Sequence, residues 1–314
     1  MRALVTGGAG FIGSAVARAL LDRGDEVVVL DNLYTGNRSR LPDGVRFLQG
    51  DIRGPDAVLA ACNGVEVVYH LGAMRSVLRS VDDPILTSEC NVGGTINVLN
   101  GAVAAGARRV VFASSSSAYG ESGESIQRED AYPKPISPYA ASKLAGEFYC
   151  RAWTHLHGLS TVCLRYFNVF GPGQDAESRY SNVIPAFLEK LLRGEAPELH
   201  WDGEQSRDFT YIEDVVRATL AAGDADDRVD GIVINVGGGQ AKTINEVLRA
   251  VSDAAGVWIE PTRMGRRPGD MRRTHADISR ARELLGWEPM MAWGEAIART
   301  VEWFRSNRPG NSPG

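Results

Sequence analysis

Apolar positions in the first half of the chain come in short β-branched runs separated by stretches of helical spacing. "RALVTGG", "EVVVLDN", "VRFLQGD", "VEVVYHLGA", "RRVVFASSS" and "STVCLRYFN" are apolar over most of their length, as strands of a parallel sheet covered on both faces should be. "FIGSAVARALLDRG" and "TINVLNGAVAAG" instead space their apolar residues three and four apart, and the first closes on Gly24, a residue suited to a helix C-terminus. Strands alternating with helices predict an α/β fold with a doubly wound parallel sheet. Past Asn168 the rhythm breaks at Gly171, Pro172 and Gly173, and later helices ("IPAFLEKLLRG", "TINEVLRAVSDAAG") mix with isolated strands ("DFTYI", "GIVINVG"). The expected division is a doubly wound α/β domain over residues 1–167 with a returning segment near 207–238. A smaller, interleaved C-terminal domain takes 168–206 and 239–305, and 306–314 form a disordered tail.

Composition narrows the function classes. With 314 residues and 44% hydrophobic content the chain can bury a full core. A net charge of −5 argues against a general nucleic-acid or membrane-surface role, so an anionic substrate would need a local cationic pocket. No apolar run approaches the roughly 18 residues that span a bilayer. "MRALVTGGAG" enters a strand directly and does not resemble a signal peptide, so the expected location is the cytoplasm. Cys62, Cys90, Cys150 and Cys163 lack metal-like spacing and read as reduced thiols, with no metal expected.

The first helix is preceded by "VTGGAGFIGS", which sets Gly7, Gly10 and Gly13 between a strand and a helix. Glycines there permit the tight turn and let the backbone approach a pyrophosphate at the helix N-terminus. Eighteen residues after Gly13, Asp31 ends the second strand, where a carboxylate accepts hydrogen bonds from a ribose and repels a 2′-phosphate. Strand, glycines, helix, strand and acid in register predict a Rossmann-type unit that binds NAD in preference to NADP. Asp51 in "LQGDI" ends the third strand and could meet the adenine or simply cap a helix.

A second constellation follows the fifth strand. "VFASSSSAYG" carries Ser114 to Ser117, and "YAASK" downstream puts Tyr139 and Lys143 four residues apart, on one helix face. A lysine beside a tyrosine favours the phenolate, which can then act as general base toward a sugar hydroxyl.

These motifs resemble the extended short-chain dehydrogenases/reductases, specifically the NAD-dependent epimerase/dehydratase family, and within it the nucleotide-sugar epimerases and dehydratases. The likeness runs from about Arg2 to Trp303 and includes "HLGA" (Ala73 its last residue), "NVGGT" (from Asn91), "LRYFNVFGP", "GEQSRDFTYIEDV" and "RPGD". It implies NAD held by Gly7, Gly10, Phe11, Ile12, Gly13, Asp31, Asn32, Thr35, Gly36, Asp51, Ile52, Leu71, Ala73, Asn91, Tyr139, Lys143 and Tyr166. Registered on Tyr119 and Gly120, the catalytic hydroxyl falls at Ser115. Ser116 and Ser117 stand where dehydratases carry Asp and Glu, and serine cannot do their acid–base work. Ser115, Tyr139 and Lys143 suffice for hydride transfer alone, which implies 4-epimerisation of a UDP-hexose through a 4-keto sugar that swings about its diphosphate.

The resemblance also implies a substrate end. Arg207 and Arg267 would grip the diphosphate, Asp270 the ribose, and Asn168 and Asn182 the diphosphate and base, with Arg75, Ser116, Phe167 and Val183 nearby. Thr274 falls where a small residue would leave room for an N-acetyl group on carbon 2. A uronic acid would need a carboxylate partner, for which Arg75 and Arg179 are candidates. Arg75 and Gly72 depart from the family pattern. Relatives commonly dimerise through two helices per subunit. Here these are the helix around "TINVLNGAVAAG" and the one carrying Tyr139, with Leu144, Phe148 and Trp153, so a homodimer is expected. The rival enzyme readings are a dehydratase or decarboxylase. The non-enzyme rival, an NAD-sensing regulator, commonly loses the Tyr or Lys retained here.

Overall fold

The computed structural model describes residues 1–121, 125–175, 182–266 and 272–307. The chain begins β1 (Arg2–Thr6), α1 (Phe11–Asp22), β2 (Glu26–Asp31), β3 (Arg46–Gln49), α2 (Pro55–Cys62) and β4 (Val67–His70). It continues through α3 (Val77–Asp82), α4 (Pro84–Ser88), α5 (Gly94–Ala105), β5 (Arg109–Ser115), α6 (Pro138–His157) and β6 (Ser160–Tyr166). Then come β7 (Val169–Phe170), α7 (Val183–Leu192), β8 (Glu198–His200), β9 (Ser206–Asp208), β10 (Thr210–Tyr211) and α8 (Ile212–Asp224). The last elements are β11 (Ile232–Val236), β12 (Ala241–Thr243), α9 (Ile244–Ala255), β13 (Thr262–Met264), α10 (Ser279–Leu285) and α11 (Trp293–Ser306).

Seven strands pair in parallel in the order β11-β6-β5-β4-β1-β2-β3. The strand order reverses between β1 and β4, so the connections leaving their carboxyl ends diverge and open a crevice there. Alternation along β1 shows why the sheet needs two helical layers. Ala3 and Val5 join one buried cluster with Val16 and Leu20 of α1 and Val215 of α8. Leu4, between them, joins the other with Val58 of α2, Leu99 of α5 and Phe112. Among the described residues no helix is long and apolar enough to cross a membrane, and all four cysteines are buried and free.

Two segments differ from the sequence reading. "GIVINVG" is not an isolated strand: β11 adds to the main sheet, with Ile232 opposite Val162 and Val236 opposite Tyr166. "DFTYI" divides into two strands with different partners, because β9 pairs antiparallel with β12 while β10 pairs parallel with β7.

Candidate active site

The glycine turn is packed backbone against backbone. Gly7 has φ of 69°, and a Cβ there would lie 2.7 Å from the Gly72 nitrogen. A Cβ on Gly13 would lie 2.2 Å from the Gly7 carbonyl oxygen. Gly10 begins α1 without a side-chain cap, so the first-turn N–H groups are left for an anion. Asp31 at the end of β2 is buried and accepts hydrogen bonds from Ala9 N (3.0 Å) and Leu33 N (2.8 Å), which ties the acid to the loop it serves. Asp51 takes neither a simple cap nor a free position: Arg53 and the Asn32 amide (2.8 Å) bind it, and with the arginine bond the largest cause its carboxyl is held down at about 2.

Behind this loop, His70 sits between the Thr6 hydroxyl (2.7 Å at Nδ1) and the Thr95 hydroxyl (3.0 Å at Nε2). Thr95 donates to the Asn91 carbonyl, so His70 must donate from Nε2 and accept at Nδ1. Burial, and secondarily the Lys143 charge, push the imidazole down to about 3, so it is a neutral strut. Asn91 lies in a wider, π-type turn (Glu89–Gly93) and does not reach the cavity. Its amide clamps Met74, accepting from Met74 N (2.7 Å) and donating to Met74 O (3.0 Å), and also donates to Ser142 Oγ (2.9 Å).

Helix α6 delivers the reactive groups. Ser137 caps it by accepting from Ala140 N at 3.1 Å and Pro138 opens its first turn, so Tyr139 and Lys143 fall one turn apart at its start. Burial raises the Tyr139 phenol, opposed by a hydrogen bond from Ser115 and then by the Arg75 charge. Lys143 is 4% exposed; its Nζ donates to the Ala113 carbonyl at 2.8 Å and lies 6.0 Å from the Tyr139 ring centre. Desolvation brings its ammonium down to about 8. Arg75 thus adds a second cation near the phenol to the ammonium that Lys143 carries below about pH 8.

The four serines part company at the end of β5. Ser114 turns away and donates to Glu147, whose carboxylate also receives a two-pronged, fully buried pair from Arg165 (2.8 and 2.7 Å). Ser115 faces Tyr139, and its oxygen accepts from Ser117 N at 3.1 Å to start the turn that holds Ser116 and Ser117.

A cavity of about 650 Å³ runs past the glycine turn, Ser115, Tyr139 and Lys143. Gly7, Gly10, Phe11, Ile12, Gly13, Asp31, Asn32, Thr35, Gly36, Asp51, Ile52, Leu71 and Ala73 line it at one end. Ser115, Ser116, Tyr139, Lys143, Tyr166 and Arg75 stand in its walls, and Asn168, Asn182, Val183 and Arg207 border the rest. Asn168 adopts φ of 24°, and its side-chain amide donates a hydrogen bond to the Asp208 carbonyl (2.8 Å).

Two expected substrate residues do not reach this space. Phe167 is fully buried against the Tyr119 ring, 6.1 Å between centres. Thr274 is 1% exposed and its hydroxyl accepts from Asp208 N at 3.4 Å; it pairs β9 from within, so its small size makes no room in the cavity. Arg179, Arg267 and Asp270 lie outside the described residues. The structure adds wall residues that sequence reasoning missed: Tyr34, Gln174, Glu198, His200, Gln205 and Phe209. Gln174 and Gln205 donate to Val169 O and His200 O, both at 2.9 Å, which fixes two loops whose residues carry no local motif.

The donor set suits NAD: a glycine turn with no space for a Cβ at Gly7 or Gly13, open N–H groups at a helix start, and a carboxylate at the end of β2. Comparison with known proteins points the same way. The chain is 41% identical to the UDP-glucose 4-epimerase of Mycolicibacterium smegmatis over 98% of its own length and 99% of the relative's. Its fold superposes on the UDP-glucose 4-epimerase of Thermotoga maritima, solved with UDP-glucose, with a TM-score of 0.94, 36% identity, and coverage of 98% of this chain and 99% of that one. The UDP-N-acetylglucosamine 4-epimerase of Methanobrevibacter ruminantium, in complex with UDP-N-acetylmuramic acid, gives 0.93 at 35% identity, with coverage of 98% and 99%. The profile of the NAD dependent epimerase/dehydratase family matches residues 3–237, and this chain belongs to that family.

Proposed function

We propose that the protein is a UDP-sugar 4-epimerase in which Tyr139 is the base. The observation that carries this reading is the meeting of the Tyr139 phenol and the Ser115 hydroxyl in one cavity, beside a turn whose next two residues are also serines. Carboxylates at those two places would equip the site to eliminate water; hydroxyls do not. Full-length identity to 4-epimerases supports the same reading.

The glycine turn, Asp31 and Lys143 would hold NAD, which would supply the hydride acceptor and donor for carbon 4 of the sugar. Tyr139 takes the proton of the sugar's 4-hydroxyl, and Ser115 hydrogen-bonds the same oxygen as charge develops on it. Lys143, anchored on Ala113, holds its ammonium beneath the tyrosine. Arg207 at the cavity wall grips the diphosphate, with Asn168 and Asn182 beside it. Gripping the diphosphate while leaving the hexose few fixed contacts allows the sugar to turn its other face before the proton returns from Tyr139.

The test is incubation with UDP-glucose and UDP-N-acetylglucosamine without added NAD, followed by chromatography and mass spectrometry. A product of unchanged mass and shifted retention is expected. Loss of water or of carbon dioxide rejects the reading.

The active protein is a homodimer in this reading. Val81, Ile85, Phe148 and Leu156 expose apolar side chains (62, 71, 60 and 69%) on the mutually packed helices α3, α4 and α6, and a second copy would cover them. Light scattering after size exclusion checks the mass.

A further inference from the structure

We propose that Arg75 determines substrate specificity by pairing with a carboxylate carried on the sugar of the substrate; this rests on the UDP-sugar reading above. Arg75 lines the same cavity as Tyr139 and Ser115. Its side chain is exposed to that space, and among the described residues no hydrogen bond or salt bridge reaches it. Asp175 acts on it only at longer range, while Arg40 and Arg79 add like charge. Stripping water from an unpaired cation is costly, and a neutral hexose bound over Arg75 would remove the water that now solvates it without supplying a counter-charge. A carboxylate would supply one, and the planar guanidinium accepts it in two-pronged geometry.

The position of Arg75 is built. Asn91 holds both backbone groups of the preceding Met74 and reaches Ser142, whose hydroxyl donates to the Tyr139 carbonyl at 2.8 Å. The segment bearing Arg75 is thereby fastened to the turn that bears the base. On its other side Ser76 adopts φ of 98°, rare for a serine, and caps α3 by accepting from Arg79 N. A residue whose neighbours are held on both sides, on a segment fastened to the turn that bears the base, is placed for the sugar. Arg207, on β9, is the cation placed for the diphosphate.

Binding tests this apart from turnover. NAD-loaded Tyr139→Phe protein, which leaves ligands unreacted, is titrated calorimetrically with UDP, UDP-glucose and UDP-glucuronic acid, with and without Arg75→Gln. Arg75→Gln is expected to weaken UDP-glucuronic acid about 10- to 100-fold, the range for a lost charged hydrogen bond, and to leave UDP and UDP-glucose within about twofold. Arg75→Lys should recover part of the loss. An equal loss on UDP overturns the proposal in favour of a diphosphate contact, and no loss on any ligand overturns it outright. If the wild-type protein instead fails to interconvert any UDP-sugar, the epimerase reading falls while the binding difference still judges Arg75.

Discussion

The Lys143 ammonium donates to the Ala113 carbonyl, binding the first turns of α6 to the end of β5 through a charge that burial disfavours. Its proton affinity falls from 10.5 to about 8, so below pH 8 the folded protein carries a buried ammonium at a cost of about 3 kcal/mol. Between pH 8 and 10.5 the folded chain loses this proton before the unfolded chain does, and the cost fades. Lys143→Met should therefore raise stability at pH 7 by up to about 3 kcal/mol in urea unfolding, with the gain shrinking as pH rises. Its epimerase activity should fall at least about 100-fold. A Met variant less stable than wild type at pH 7 would contradict this account.

Tyr139 and Ser115 are expected to separate by magnitude and by pH. Tyr139→Phe removes the base and should reduce kcat about 1000-fold or more with little change in melting temperature. Ser115→Ala should cost about 100-fold. The Ser115 hydrogen bond lowers the phenol's proton affinity against the effect of burial, so removing it must move the acidic limb of kcat/KM to higher pH. A limb that stays in place would mean that Tyr139 is not the titrating base.

The alternating apolar runs made the sheet legible, because a strand buried on both faces leaves few polar positions to confuse the reading. The glycine turn was legible for a related reason: Gly13 leaves no space for a Cβ, so the sequence must record the constraint. Strand β11 was harder, since an edge strand that arrives after a long excursion looks like any short apolar run until its neighbour Val162 is known. Thr274 shows the limit of register. Its place beside a motif suggested the cavity, but the direction of its side chain is set by Asp208, whose carboxylate accepts from Ala276 N (3.0 Å) and Gly238 N (2.6 Å) and draws that segment inward. Nothing local in "AMRSV" records that Arg75 has no hydrogen-bonded partner among the described residues and shares a cavity with the phenol, because its surroundings come from distant segments.

The buried Glu147–Arg165 pair should behave as structure. Glu147 joins α6, where it sits four residues beyond Lys143, to Arg165 of β6 and Ser114 of β5, and Arg165 also lies 4.3 Å from the Tyr119 ring centre. Glu147→Gln strands a buried guanidinium and should destabilise the protein by about 3–5 kcal/mol in urea unfolding. The double change Glu147→Leu with Arg165→Met removes both charges and should cost less than the single one. A single variant as stable as wild type would mean that water reaches the pair.

Gly13→Ala should separate cofactor binding from folding. The added Cβ would lie 2.2 Å from the Gly7 carbonyl oxygen and 2.8 Å from Gly8 Cα, both backbone atoms, so the turn itself must open. Overpacking of this kind costs about 1–3 kcal/mol, or about 10- to 100-fold if spent on the shape of the NAD-binding turn. Wild-type protein is expected to leave purification with NAD bound, measurable after heat release, and the variant to leave with little while keeping its far-ultraviolet circular dichroism. Adding NAD in excess should restore part of its activity, since the base, the hydroxyl and the lysine stand on other elements. Full NAD content in the variant would show that the dinucleotide does not rest on this turn.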